Sequence, residues 1–274
     1  MLLVTLEQMK YLEKKADESG VSYAQLMENA GAKLAGKIED YIKSAKKDVK
    51  SIVFLCGSGN NAGDGYVIAT LLFEIGILPK IVLLKDKFSA DGRYYFDKCL
   101  SLGIPYSIYN DEKFEKFDII VDCIFGTGFK GEVKGEAKEI INAINESGAY
   151  IVSVDINSGL NGDNGLGDTV VKSDLTVSVG SFQPGHFLGK ADECMKSRKN
   201  CDIGITPILP PYYLCEKMPF DDFNIVDKSK LESFDYNENP VDAVIKYSNK
   251  NNKTAVKNGG KYIVSDGKKG YIVI

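Results

Sequence analysis

Four short apolar, β-branched runs, at residues 51–56, 119–124, 151–154 and 175–179, each lead directly into a glycine-rich stretch. Those stretches, 57–65, 126–135, 159–167 and 180–189, hold most of the excess that lifts glycine to 27 of 274 residues, above the average of roughly 7%. Apolar runs of this length read as strands buried on both faces. Glycine directly after a strand lets the backbone turn sharply and approach a ligand closely. Helical patterns lie between the runs. Thr5-Leu6-Glu7-Gln8 fits a capping box ahead of Met9, Leu12 and Ala16, and Ser22-Tyr23-Ala24-Gln25 fits a second ahead of Leu26, Ala30, Leu34, Ile38 and Ile42. Further helices are expected at 66–74, 89–102 and 137–146, and further strands at 81–84 and 105–109. Alternating strands and helices predict an α/β fold with a mostly parallel sheet covered on both faces. In such sheets the ligand sits beyond the carboxyl ends of the strands, at a switch in strand order. All four glycine stretches fall at that edge.

The net charge of −4 and the sequence pI near 5.3 argue against a basic nucleic-acid surface. No apolar run approaches the ~18 residues of a spanning helix, and residues 1–10 lack the basic-then-apolar pattern of a secretory signal. A cytoplasmic protein with no membrane partner is expected. The six cysteines form no CxxC pair and there is one histidine, His186. A Cys/His zinc cluster is therefore not expected, and reduced thiols are. From Glu216 the texture changes: short helices at 227–234 and 240–248, a polar Lys-rich stretch, then a hairpin over 261–274. The expected division is a main domain over 1–215 and a short C-terminal appendage over 216–274, too short for a confident independent domain.

Three loops carry candidate chemistry. Gly57-Ser58-Gly59-Asn60-Asn61-Ala62-Gly63-Asp64-Gly65 meets only the loose G-x-G-x-x-G/A fingerprint and lacks a P-loop Lys-Ser/Thr pair. Backbone N–H groups at a helix start favour phosphate, and the two side-chain amides both donate and accept. In the second loop, Asp122 lies within an apolar strand. It needs a cation, a basic partner or several donors. Lys130 follows among glycines, placed to reach a phosphate or a reacting hydroxyl, or simply solvated. In the third, Asp155 ends a strand and Ser158 follows. Two carboxylates with amide, hydroxyl and carbonyl oxygens suit a hard cation, ribose binding or proton transfer; Asp155 is equally able to cap the next turn. His186, beside Pro184-Gly185, reads as structural rather than as a general base. No Gly-x-Ser-x-Gly elbow is present.

These loops in this order resemble the YjeF N-terminal domain family, the NAD(P)HX epimerases. The matching pieces are Gln8-Met9, Leu26-Met27-Glu28-Asn29-Ala30-Gly31, the Cys56–Gly65 loop, Asp122-x-Ile124-Phe125-Gly126-Thr127-Gly128, Asp155-Ile156-x-Ser158-Gly159-Leu160 and Lys172-Ser173-Asp174-Leu175-Thr176, which leads to Pro184-Gly185-His186. The resemblance implies a Rossmann-like three-layer sandwich, usually a homodimer. Its implied substrate is NADHX or NADPHX, the coenzyme hydrated at C6 of the nicotinamide ring, whose R and S epimers it interconverts for a separate dehydratase. It also implies substrate binding by Asn60, Asn61, Ala62, Gly63, Asp64, Gly126, Thr127, Gly128, Phe129, Lys130, Gly131, Glu132 and Asp155. One potassium ion (K+) per subunit is implied at Asn61, Asp122 and Ser158. For the acid or base of the reaction Asp155 is the first candidate and Lys130 the second.

The chain departs from the pattern in three places. Asn157 stands where the family has proline, which is expected to loosen the turn that aims Ser158. Residues 216–274 are too short for the kinase-like dehydratase domain of bifunctional relatives. Residues 253–274 nonetheless resemble a strand pair from that domain. Two other readings stay open. One is a non-catalytic nucleotide-binding or dimerisation scaffold, as some relatives in messenger-RNA decapping assemblies use this fold. The other is a dehydrogenase, with Asp86 after the next strand as its ribose-reading acid.

Overall fold

The computed structural model describes residues 1–45, 48–110, 113–205 and 212–274. In chain order the elements are β1 (Leu2–Leu3), α1 (Leu6–Glu18), α2 (Tyr23–Ser44), β2 (Ile52–Cys56), α3 (Asn60–Glu74), β3 (Pro79–Leu83), α4 (Ala90–Ser101) and β4 (Tyr106–Ile108). Next come β5 (Ile119–Cys123), α5 (Glu136–Glu146), β6 (Tyr150–Val154), β7 (Leu175–Val179), α6 (Ala191–Cys194), β8 (Arg198–Cys201) and β9 (Tyr212–Cys215). The remainder is β10 (Asn224–Val226), α7 (Pro240–Asn251), β11 (Thr254–Asn258), β12 (Lys261–Ser265) and β13 (Gly270–Val273).

Seven strands form one sheet in the order β4-β3-β2-β5-β6-β7-β8, with every neighbouring pair parallel. Alternate residues of a strand face opposite layers. Ile52, Phe54 and Cys56 of β2, with Ile119, Val121 and Cys123 of β5, pack towards Leu34, Ile38, Ile68 and Leu72 of α2 and α3. Val53, Leu55 and Ile120 pack towards Ile140, Ile141 and Ile144 of α5. Both faces are covered, which is why these strands read as unbroken apolar runs. This is the Rossmann-like sandwich. From β2 the chain builds outward through β3 and β4, then returns to add β5 on the other side of β2. The loops after β2 and β5 diverge there and open a crevice.

One expectation about this edge needs correction. The helix expected from Tyr66 begins at Asn60, so most of the first glycine stretch is helical. Its glycines serve close packing rather than a turn. A Cβ on Gly63 would lie 2.6 Å from Met27 Sδ of α2, and one on Gly65 would lie 2.7 Å from Cys123 Sγ of β5. Their absence lets α3 settle against both neighbours.

A second sheet has the order β1-β9-β13-β12-β11-β10. The expected hairpin is the antiparallel pair β12–β13, and the expected helices are a 3₁₀ segment at Lys228–Phe234 and α7. Cys215 is the last residue of β9, so the boundary expected there falls between strands of this one sheet. Its core joins Leu3, Tyr212, Val241, Val244, Ile263 and Ile272 with Phe182, Phe187 and Leu188 from the loops after β7. Residues 216–274 thus share their core with the rest of the chain. All six cysteines are free thiols. Among the described residues no helix is long and apolar enough to cross a membrane.

A Cβ on Gly57 would collide with the carbonyl of Ile124, where the loops after β2 and β5 meet. Gly57→Ala is expected to lower stability by about 1–3 kcal/mol in urea denaturation. Gly128→Ala, where an added Cβ meets nothing within 4 Å, is expected to leave it unchanged.

Candidate active site

A cleft of about 460 Å³ opens at the carboxyl edge of the parallel sheet. Its floor and sides come from Ser58–Asn61 and Asp64, from residues 124–129, and from Asp155. Its remaining wall is α1, which presents Leu6, Met9, Lys10 and Glu13. These four recur at the spacing of one helix face. The Thr5 capping box that starts α1 is formed on both sides, with Thr5 Oγ1 accepting from Gln8 N and Gln8 Oε1 accepting from Thr5 N.

The start of α3 supplies the polar side. Gly59 occupies the N-cap and gives no side-chain cap, so the N–H groups of Asn60 and Asn61 are left without one, while Ala62 N donates to Gly59 O at 3.2 Å. Asn61 and Asp64 lie three residues apart on one face of this helix. Asn61 is only 8% exposed, yet neither Oδ1 nor Nδ2 has a hydrogen-bond partner. Burying an unpaired amide costs about 1–3 kcal/mol. A group that binds in the cleft would satisfy it.

Behind the wall sits Asp122, fully buried. Its carboxylate accepts from Ser158 Oγ at 2.5 Å, Ser158 N at 2.9 Å, Ser153 Oγ at 2.9 Å and Ile124 N at 3.3 Å. Burial pushes its pKa up and these donors oppose the rise. Ser158 Oγ in turn accepts from Phe125 N at 2.8 Å. Phe125 stacks on Phe129, centroids 4.6 Å apart, to form an aromatic side of the cleft.

Asp155 is half-buried and holds a left-handed backbone, φ 66°, uncommon for a residue with a Cβ. Three contacts fix it. Thr127 N donates to Oδ2 at 2.7 Å, Asp155 N donates to Val177 O at 2.8 Å, and His186 Nε2 donates to the Asp155 carbonyl at 2.8 Å. Gln183 N donates to His186 Nδ1 at 3.1 Å, which completes the neutral tautomer. His186 is therefore a buried support for the Asp155 backbone and does not line the cleft.

Three carboxyls meet in the cleft. Burial raises the pKa of Asp155, against the hydrogen bonds from Thr127. Burial, then the nearby Asp155 and Glu13, hold Asp64 well above the usual carboxylate range. Burial, then Asp155, push Glu13 up to about 7, with Lys10 pulling the other way.

The structure separates the candidates into groups. Asn60, Asn61, Asp64, Gly126, Thr127, Gly128, Phe129 and Asp155 line the cleft. Ala62 and Gly63 are buried inside α3. Lys130 is exposed and faces an adjoining groove with Lys10, Asp163, Glu238 and Asn239 rather than the cleft. Gly131 takes a positive φ of 95°, and Glu132 is exposed in an ion pair with Lys134 at 3.1 Å. Neither reaches the cleft. Asp86 is exposed and also lies outside it.

Asn157 does not loosen its turn. Its buried amide donates to Val171 O, Ser173 Oγ and Cys194 O at 2.7, 3.0 and 2.9 Å and accepts from Thr176 Oγ1. Residue-by-residue reading missed the α1 wall, Glu13 above all. The available signal was a glutamate falling in register with Leu6 and Met9.

His186 links this support to pH. Burial lowers its pKa to about 4, whereas an unfolded histidine titrates near ~6.5. The folded state thus favours the neutral ring. That contribution, about 3 kcal/mol, is complete above pH ~6.5 and is lost as pH falls towards 4. Urea denaturation of wild type and His186→Gln at about pH 7 and about pH 4 is expected to show a larger loss for wild type. The buried carboxyls contribute the opposite slope to both proteins and cancel in the difference.

Residues 23–185 match the family model described as YjeF-related protein N-terminus. The NAD(P)H-hydrate epimerase of Elusimicrobium minutum is 34% identical over 80% of this chain and 100% of its own length. Bifunctional NAD(P)H-hydrate repair enzymes of Thermofilum pendens and Coxiella burnetii are each 34% identical, over 69% and 67% of this chain. The match spans only 37% and 38% of those two longer proteins. The crystal structure of the yeast protein ynu0 shares the fold, with a TM-score of 0.62 over 71% of this chain and 86% of that one at 23% identity. The matched residues run from the first residue of α2 to the turn that carries His186 and take in every loop of the cleft after α1. The chain belongs to the family of YjeF-related N-terminal domains.

Proposed function

We propose that this protein is an NAD(P)H-hydrate epimerase, an isomerase that interconverts the R and S forms of NADH or NADPH hydrated at C6 of the nicotinamide ring. The observation that carries the reading is the strained, half-buried Asp155 in a cleft whose opposite polar side ends in the unpartnered amide of Asn61. The names of the relatives support the same activity.

The chemistry asks for little more than a placed proton. C6 bears a hydroxyl and neighbours the ring nitrogen, whose lone pair helps that hydroxyl leave once it is protonated. Water returning to the other face inverts the centre, and a base takes the released proton. Burial raises the pKa of Asp155, which suits its carboxyl to exchange that proton. The uncapped N–H groups at the start of α3 offer a place for the dinucleotide's phosphates. Phe125 and Phe129 offer a flat apolar surface for a ring. Lys130, outside the cleft, is left with a role at its rim.

We further propose that one potassium ion per subunit is held by Asn61, Asp122 and Ser158. Asn61 Oδ1 is buried and unpartnered, which fits a cation ligand. Ser158 Oγ has a second acceptor in the Phe125 carbonyl at 3.2 Å, so its proton can leave Asp122 Oδ1 free for the ion. When bound, the ion would supply positive charge close to the carboxyl of Asp122. The protein is proposed to act as a cytoplasmic homodimer and to feed a separate dehydratase specific for the S form.

Purified protein mixed with a single C6 epimer in a potassium salt is expected to speed scrambling of the two forms, followed by chromatography. A rate equal to buffer would remove the enzyme and leave a binding scaffold. Replacing potassium by sodium is expected to slow scrambling. Asp155→Asn is expected to lose about 10²-fold or more in rate while its urea midpoint rises. Asparagine removes a buried carboxyl and tolerates the left-handed backbone. A variant that binds NADH normally and keeps the full rate would take the proton-transfer role away from Asp155.

A further inference from the structure

The second proton-handling group comes from α1. We propose that the Glu13 carboxyl works with Asp155 from a separate wall of the cleft, each serving one face of the hydrated ring. This rests on the epimerase reading above.

Glu13 is half-buried on the cleft side of α1, in line with Leu6, Met9 and Lys10, while Lys14 and Glu18 of the same helix stand in solvent. No hydrogen bond or ion pair holds its carboxyl among the described residues, whereas Glu18 pairs with Lys15 at 2.6 Å. A carboxyl held partly out of water without a partner gives up some of its hydration. The same cleft contains Asn61, more than nine-tenths buried with both amide atoms unpartnered. That second feature marks the acidic pocket as a place where a ligand sits.

The charged and titratable groups around Glu13 are Asp155 at the end of β6, Asp64 on α3, Lys10 on α1 and Tyr23 at the start of α2. Apart from the proposed potassium ion, one exposed lysine stands near these three carboxyls, which favours a retained proton in the pocket, and the pKa of Glu13 near 7 agrees.

Epimerisation needs such a pair because hydroxyl departs from one face and water returns to the other. Starting from protonated Glu13 and ionised Asp155, the Glu13 proton moves to the C6 hydroxyl as the C6–O bond breaks and water leaves. The lone pair of the ring nitrogen forms the N=C6 bond. Water on the Asp155 side then adds to C6, the pair returns to nitrogen, and Asp155 takes the released proton. One water leaves and one enters, and a proton has moved from Glu13 to Asp155. Turnover of the opposite epimer runs the same steps backwards and resets both groups.

The test compares wild type, Glu13→Gln and Glu13→Asp with a single C6 epimer, alongside calorimetric titration with NADH and a thermal melt. The glutamine variant is expected to lose about 10²-fold or more in kcat, in both directions, with KM and NADH binding nearly unchanged. The aspartate variant is expected to recover part of the rate. The wild-type rate is expected to bend near pH ~7, with that bend lost in Glu13→Gln. A glutamine variant within about twofold of wild type, with the same pH profile, would overturn the proposal while leaving the epimerase reading intact. Wild type no faster than buffer would overturn both. Should the glutamine variant fail to fold, the wild-type profile decides: a rate flat from about pH 5.5 to about pH 8.5 overturns the role.

Discussion

A single buried carboxylate holds the cleft in shape. Asp122 has no exposed surface, and its two oxygens collect donors from β6, from its own loop and from both the backbone and hydroxyl of Ser158. A carboxyl buried this deeply is tolerable because these donors meet both of its oxygens. Ser158 passes the constraint to the backbone of Phe125, and the loop that begins there brings Thr127 N to Asp155 Oδ2. The loops after β5 and β6 are therefore tied to each other through Asp122, Ser158 and Asp155. Asp155 inherits its position from a residue that never touches the cleft.

Against this rigid support stands an electrostatic load. Glu13, Asp64 and Asp155 share one partly buried space, where Asp155 makes ionisation of Glu13 harder and both make ionisation of Asp64 harder. The unsatisfied amide of Asn61 and the left-handed backbone of Asp155 add to the strain. A fold optimised only for stability would remove all of these features. Their concentration at the carboxyl edge of the sheet, beside the switch in strand order, is what a preorganised site requires: proton-holding groups fixed before substrate arrives. The Asn157 and His186 side chains, wholly buried and fully bonded from beneath, supply the stiffness that makes the strain sustainable.

Much of this was legible one residue at a time. Unbroken apolar runs identified the strands because both faces of a parallel sheet are covered, and the cap signals at Thr5 and Ser22 located the starts of α1 and α2, although Thr5 closes the full box and Ser22 caps through its hydroxyl alone. Asp122 announced itself as a charge in an apolar strand. Glycine was harder to read. The stretches after β2 and β5 line the cleft and those after β6 and β7 do not, and Gly63 and Gly65 look identical to turn glycines until Met27 and Cys123 are seen filling the space their side chains would occupy. The expectation for Asn157 failed for a related reason: losing proline's stiffness matters little when an amide finds four partners, all distant in sequence.

The amino-acid order by itself determined the element types, the parallel α/β layering and the edge at which chemistry is placed, because these follow from local periodicity and from burial on two faces. Only tertiary structure decided which side chains share a cleft. It set Lys130 outside and Glu13 inside, placed His186 beneath Asp155, and joined residues 216–274 to β1 and β9 in one sheet. Those outcomes depend on contacts between segments far apart in the chain. Such contacts leave no trace in local spacing, because the energy that selects them comes from packing and desolvation in the folded state.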